Sequence, residues 1–252
     1  MENPQKTHGP IGNKFEKLIV GPEFIGIEGI IAESFITSAK NGMLQLLDLA
    51  NLNFNKDGVY EVEYSVLESL LELMLDIKAT YLKFSLVEID RRKYNLNLNP
   101  HFNEDNLIYL AVSLEDKNEV TIDEHNYLLF STSDQLNNLR ISNSTLDLYK
   151  EAYLQKYLPT LNKYFSNNNL GSNTMTISYH IHDLENMISR ISKKYLVYLC
   201  EISDVMAIIR ANSLKVSQLV YRTYYQFRIK QLTIVFYSVD DGKYYDMGSL
   251  YP

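Results

Sequence analysis

VYEVEYSVLESLLELM, Val59 to Met74, and TISYHIHDLENMISRI, Thr176 to Ile191, follow one pattern. Tyr60, Val62 and Tyr64 alternate with polar residues, as do Ile177, Tyr179 and Ile181, which is the period of a half-buried strand. At the same spacing Leu67, Leu70, Leu71 and Met74 fall on Leu184, Met187, Ile188 and Ile191, one apolar stripe on a short helix in each stretch. Glu68 matches Glu185 in the first helical turn, where a carboxylate meets the positive end of the helix dipole. Ser65 and Glu68 also have the spacing of a capping box.

The match continues with two changes of spacing. Phe84, Leu86, Glu88 and Ile89 align with Val197, Leu199, Glu201 and Ile202 after a slip of about one helical turn. Leu107 to Asp116 then aligns with Leu232 to Asp241. Repetition of a strand–helix–strand–strand order predicts an internally duplicated α+β protein with mainly antiparallel or mixed sheets and additional packing helices. The expected division is a polar N-terminal arm over 1–21, a first unit with leading helices over 22–140, and a second over 141–252. The second carries a leading helix and a C-terminal hairpin.

Around these units the chain reads as helices and turns. Pro22 and Glu23 open a helical pattern through Phe35, Asn41-Gly42 breaks it, and Met43 to Leu52 resumes it. A strand is expected at Tyr127–Thr132, and a helix at Ser144–Phe165, kinked or split by Pro159 and striped by Leu154, Leu158, Leu161 and Phe165. Met206–Leu219 has a helical reading and Tyr221–Phe227 a strand reading, and Asp240-Asp241-Gly242 turns into a terminal strand over Lys243–Tyr251.

Composition narrows the function classes. A net charge of −7 over 252 residues argues against polyanion binding by the whole surface. The lone Cys200, between apolar strand residues, excludes an internal disulfide or a thiolate metal cluster and reads as a buried, inert thiol. No stretch approaches the length of a membrane span, and the first residues lack the apolar core of a secretory signal. Membrane insertion is therefore not expected, and synthesis in the cytoplasm is, with incorporation into a virion or another assembly as a further location. Twenty Tyr and no Trp suit interfaces as well as cores, because tyrosine pairs an apolar ring with a wet tip.

Three groups of residues are candidates for chemistry. His180 and His182 share one face of a strand, and with Asp183 they offer a two-plus-one metal set. Polar residues, Glu63 and Ser65, stand at the matching positions of the first stretch, so metal binding is not favoured and no cofactor is expected. Arg210, Lys215, Arg222, Arg228 and Lys230 interleave with Tyr224 and Tyr225, the composition of a nucleic-acid-contacting patch. Leu18, Ile19 and Val20 form an apolar patch on the polar arm, suited to gripping a partner. His125 and the acidic pairs Glu115-Asp116 and Asp240-Asp241 read as turn and surface residues. No Gly-rich phosphate loop, G-x-S-x-G elbow or H-E-x-x-H helix occurs.

The expected role is a non-catalytic structural or assembly subunit. It would bind neighbouring protein chains, itself included, in an oligomeric complex such as a phage head or tail or a secretion machine. One alternative is a hydrolase or metal-dependent enzyme with its site between the two units. The other is a module that touches nucleic acid through the basic-aromatic patch, as a minor partner.

Overall fold

The computed structural model describes residues 26–94, 106–129, 135–165, 173–188, 192–216, 221–222, 225–226, 228–246 and 249–251. In chain order the strands are β1 (Gly26–Ile27), β2 (Val59–Glu63), β3 (Tyr81–Asp90), β4 (Asn106–Glu115), β5 (Thr121–Tyr127), β6 (Arg140–Ile141), β7 (Thr176–His180), β8 (Lys194–Glu201), β9 (Leu232–Ser238), β10 (Lys243–Tyr245) and β11 (Ser249–Tyr251). The helices are α1 (Gly29–Asn41), α2 (Met43–Leu49), α3 (Tyr64–Asp76), α4 (Asn143–Lys156), α5 (Leu158–Phe165), α6 (Ile181–Ile188) and α7 (Val205–Ala211).

Two antiparallel sheets make an α+β fold, one in the order β1-β10-β9-β8-β2 and the other β11-β7-β3-β4-β5-β6. Each sheet draws strands from both halves of the chain. β2 pairs with β8, setting Tyr60 opposite Val197 and Val62 opposite Tyr195. β7 pairs with β3, setting Ile177 opposite Phe84 and Tyr179 opposite Leu82. Helix α3 therefore carries the chain from one sheet to the other, α6 carries it back, and the two helices lie side by side. α2 and α5 also touch.

Strand alternation explains the layering, because successive side chains point to opposite faces. Phe84 meets Tyr179 within its own sheet at 5.7 Å and Phe236 of the other sheet at 5.8 Å. The Tyr179 hydroxyl donates to the Ile234 carbonyl at 3.1 Å, tying the sheets together. On β8 the alternate residue Cys200 joins Val235 under Ile31, Ala32 and Phe35 of α1, so α1 covers that sheet's outer face. α4 lies along β3 in the same manner.

Several expectations are corrected. Leu107 does not stand level with Leu232: Glu88 lies opposite Ile108 and Glu201 opposite Leu232, a shift of one residue that would reverse every face of the strand. The Ser65–Glu68 box does not form, because Tyr64 is already helical, with its hydroxyl donating to Glu68. The first helix starts at Gly29, since Gly26 and Ile27 pair with β10 as an edge strand. The strand expected at Tyr127–Thr132 lies earlier, at Thr121–Tyr127, because the Asp116 carboxylate folds a turn that feeds it back onto β4.

The Ser144–Phe165 helix is split at Tyr157, and Leu154 lies on the solvent side while Leu146, Tyr153, Tyr157 and Leu161 are buried. Tyr221, Arg222 and Tyr225 are helical rather than extended, and Tyr221 and Tyr225 share one buried face at i, i+4. The terminal strand is two strands, β10 in one sheet and β11 in the other. The arm over 1–21, Ile191 and the stretch 95–105 lie outside the described residues.

The tyrosines furnish the core. Of the tyrosines whose side-chain burial is described none is exposed, and Tyr60, Tyr153, Tyr157 and Tyr195 donate to the carbonyls of Ile108, Thr174, Asn53 and Met187. Burial pushes the hydroxyls of Tyr60, Tyr153 and Tyr195 far above the ordinary tyrosine range.

Candidate functional site

His180 ends β7, and His182 and Asp183 lie in the first turn of α6. The Asp183 carboxylate accepts the His180 N–H at 3.2 Å, and His180 Nδ1 accepts the His182 N–H at 3.2 Å. This caps the helix start with side-chain acceptors. His182 Nδ1 meets Glu185 at 2.8 Å on the exposed side. Burial lowers the His180 pKa, helped by His182 and opposed by Asp183 and Glu185. Burial raises the Asp183 carboxyl, opposed by the His180 N–H and both imidazoles. Among the described residues no three His, Cys, Asp or Glu side chains stand where they could hold a metal ion. The cluster is a helix cap.

The acidic pairs and His125 are also accounted for locally. Glu115 is buried with Lys83 Nζ at 2.7 Å, and Asp116 accepts the Asn118 and Val120 N–H groups. Asp240 accepts the Lys193 N–H at 2.6 Å. His125 Nδ1 lies 3.1 Å from the Tyr127 hydroxyl, and burial, then Arg140, lowers its pKa.

The basic set divides. Arg210 and Arg222 line a hollow of about 430 Å³ with Asp204, Val205, Met206 and Tyr221. Asp204 caps α7 by accepting the Ala207 N–H at 3.0 Å, and Arg222 Nε donates to Gln226 at 2.7 Å. Tyr225 is unavailable for base stacking: its ring packs edge-on against Phe35 at 5.2 Å and its hydroxyl meets the buried Asp246. Lys215 is exposed, and Arg228 and Lys230 are half-buried. Tyr224, Leu18, Ile19 and Val20 lie outside the described residues.

Two glutamates that no motif picked out are buried, Glu88 near the end of β3 opposite Ile108 and Glu201 at the end of β8 opposite Leu232. Glu88 follows Phe84 and Leu86 on the inward period, and Glu201 follows Val197 and Leu199, a signal already in the sequence. Lys156 Nζ at the end of α4 lies 2.8 Å from Glu88 Oε1. Glu201 Oε2 accepts the Met43 N–H at 3.1 Å, at the junction of α1 and α2. Glu201 lies in an open recess of about 510 Å³ with Glu33, Ser34, Thr37, Ser38 and Asn41.

Cys200 is fully buried, and burial, with Asp246 nearby, holds its thiol protonated. No helix among the described residues is long and apolar enough to cross a membrane. No protein-family model matches this chain, and no match is found among curated proteins or solved structures.

Proposed function

We propose that the chain is a non-catalytic assembly subunit built from two copies of one α+β unit, 22–140 and 141–252, behind a polar arm over 1–21. The observation that carries this reading is the reciprocal pairing of β2 on β8 and β7 on β3, with matched registers. The same correspondence extends to β1 on β10 with β6 on β5, and to α1 over β8 with α4 over β3. A body locked in this way holds two related surfaces at a set geometry, which suits a subunit that grips neighbours. The cap formed by His180 and Asp183 and the turn contacts of Asp116 and Asp240 support it too. Its partners are other protein chains, including further copies of itself. With the tyrosines of described burial buried or half-buried, the arm patch Leu18-Ile19-Val20 and exposed apolar residues such as Leu49 and Leu148 are the candidate contacts.

The test is the solution mass of the full chain and of a version lacking Met1 to Val20. A defined oligomer that dissociates without the arm is expected. A monomer in both cases would overturn the reading.

A further inference from the structure

We infer that the outer edge of β2 receives an extended, lysine- or arginine-bearing segment of a partner protein as an added antiparallel strand, in the place that β11 holds on β7. The inference rests on the assembly reading and its two copies, and it names the partner's chemistry. β2 and β7 hold corresponding places, β2 beyond β8 in one sheet and β7 beyond β3 in the other. β7 is paired on both sides, because Ser249–Tyr251 closes its outer edge as β11. β2 ends its sheet among the described residues, with β8 on one side only.

This edge carries the groups that a strand needs. The Leu199 N–H donates to the Gly58 carbonyl and the Tyr64 N–H to the Lys193 carbonyl, so Tyr60 and Val62 are the residues that face β8. Glu61 therefore turns its N–H and C=O outward, and Glu63 its N–H, and no described residue bonds to these groups. The outward Val59 carbonyl accepts from the Asn55 side-chain amide, so the open stretch runs from Glu61 to Glu63, the length of the three-residue β11. The side chains choose the occupant. Glu61 and Glu63 are exposed on one face, with Lys194 paired to Glu61. Residues opposite them on an added strand share that face, where opposite charges attract and like charges repel. A second copy of β2 added antiparallel about Glu61 would set Glu61 against Glu61, so the edge rejects its own kind and favours a basic strand. The net charge of −7 favours approach of such a segment.

The test titrates the full chain at low salt with acetyl-Lys-Val-Lys-Val-Thr-amide, which sets lysines opposite Glu63 and Glu61, and follows it by NMR. Weak, saturable binding is expected, with the Glu61 and Glu63 amide protons shifted and slowed in exchange. Methylating the backbone nitrogen of the central lysine keeps its charge and removes the donor to the Glu61 carbonyl, and should weaken binding roughly three- to tenfold. Glu63→Lys, which has no side-chain cap bond to lose, should weaken binding roughly two- to tenfold. A peptide with glutamate in place of both lysines should not bind. No binding, equal binding of the methylated peptide, or shifts confined to residues away from β2 would overturn the inference. So would a Glu61 amide already protected by self-association, which would make a second copy the occupant. An oligomer that forms without binding the peptide would remove this edge and leave the assembly reading standing. Peptide binding by a chain that is monomeric with and without its arm would keep the edge and remove that reading.

Discussion

Replacing Phe84 with alanine should destabilise the whole molecule in one step. Its side chain is 1% exposed and lies between Tyr179 of its own sheet and Phe236 of the facing sheet. Truncating a buried phenylalanine costs about 3–5 kcal/mol, which includes the cavity left behind. The two edge-on ring contacts, each worth ~0.5–1.5 kcal/mol beyond area burial, place this site toward the upper end. Against a total stability of roughly 5–15 kcal/mol, the loss is a large fraction. At ~2–4 °C per kcal/mol for a chain of this size, the midpoint should drop by roughly 6–20 °C. Thermal and urea unfolding followed by far-ultraviolet circular dichroism reads it, with the tyrosine near-ultraviolet signal as a second probe. Because Phe84 touches strands from both halves, both probes should shift together in a single transition. Two transitions of which only one moves, or a loss below ~1 kcal/mol, would refute the shared core.

Other substitutions test particular joints. Gly58→Ala should cost about 1–2 kcal/mol in urea unfolding, because Gly58 has φ +64° and a Cβ there would meet Leu44 Cδ1 at 3.3 Å. Lys156→Met should cost ~1–2 kcal/mol, mostly from leaving the Glu88 carboxylate buried without its cation. For His180 the folded pKa is below the ordinary 6.5, so the unfolded chain takes up the proton first. Its contribution is present above that value and lost as pH falls through the folded pKa, so the melting temperature should drop between pH 7.5 and 5.5, less steeply in His180→Asn. Asp183, with a raised pKa, works oppositely: its contribution is present at low pH and lost as pH rises through the folded value. Arg210→Ala with Arg222→Ala should leave retention on heparin unchanged, as the assembly role predicts; a marked loss of salt-dependent retention would favour nucleic-acid contact through the hollow.

Strand and helix types were legible where period was clear. The alternation at Tyr60 and Val62 and at Ile177 and Tyr179 announces strands, and Leu67, Leu70 and Met74 announce the helix that follows. Which strand lies beside which was not legible, because alternation decides a residue's face and not its neighbour. Nothing in Val59–Glu63 says that its ladder is β8 rather than the nearer β3. The helical state of Tyr221, Arg222 and Tyr225 was hidden by aromatic β-propensity, which burial of Tyr225 against Phe35 overrides. In the sequence His180 and His182 are only weak metal candidates, two histidines on one strand face with polar residues at the matching positions of the first stretch. The backbone turns into α6 at Ile181, so His180 Nδ1 accepts the His182 N–H at the helix start. The inward period of Phe84, Leu86 and Glu88 and of Val197, Leu199 and Glu201 announces the two buried glutamates, but not their partners, which come from helices distant in sequence.

The reciprocal pairing is tested most directly by engineered disulfides. Gly58 O accepts the Leu199 N–H and Tyr64 N donates to Lys193 O, so Glu61 and its register partner Leu196 form a pair without mutual hydrogen bonds. Such pairs bring Cα atoms to about 4.5 Å, within disulfide reach. Lys83 and Ser178 are register partners in the other ladder. Cys200 is buried and protonated and should not compete. The account predicts that Glu61→Cys links to Leu196→Cys, and Lys83→Cys to Ser178→Cys, within one chain. Efficient linkage of Glu61→Cys to Lys83→Cys, and of Ser178→Cys to Leu196→Cys, would mean that each half pairs with itself and would contradict it.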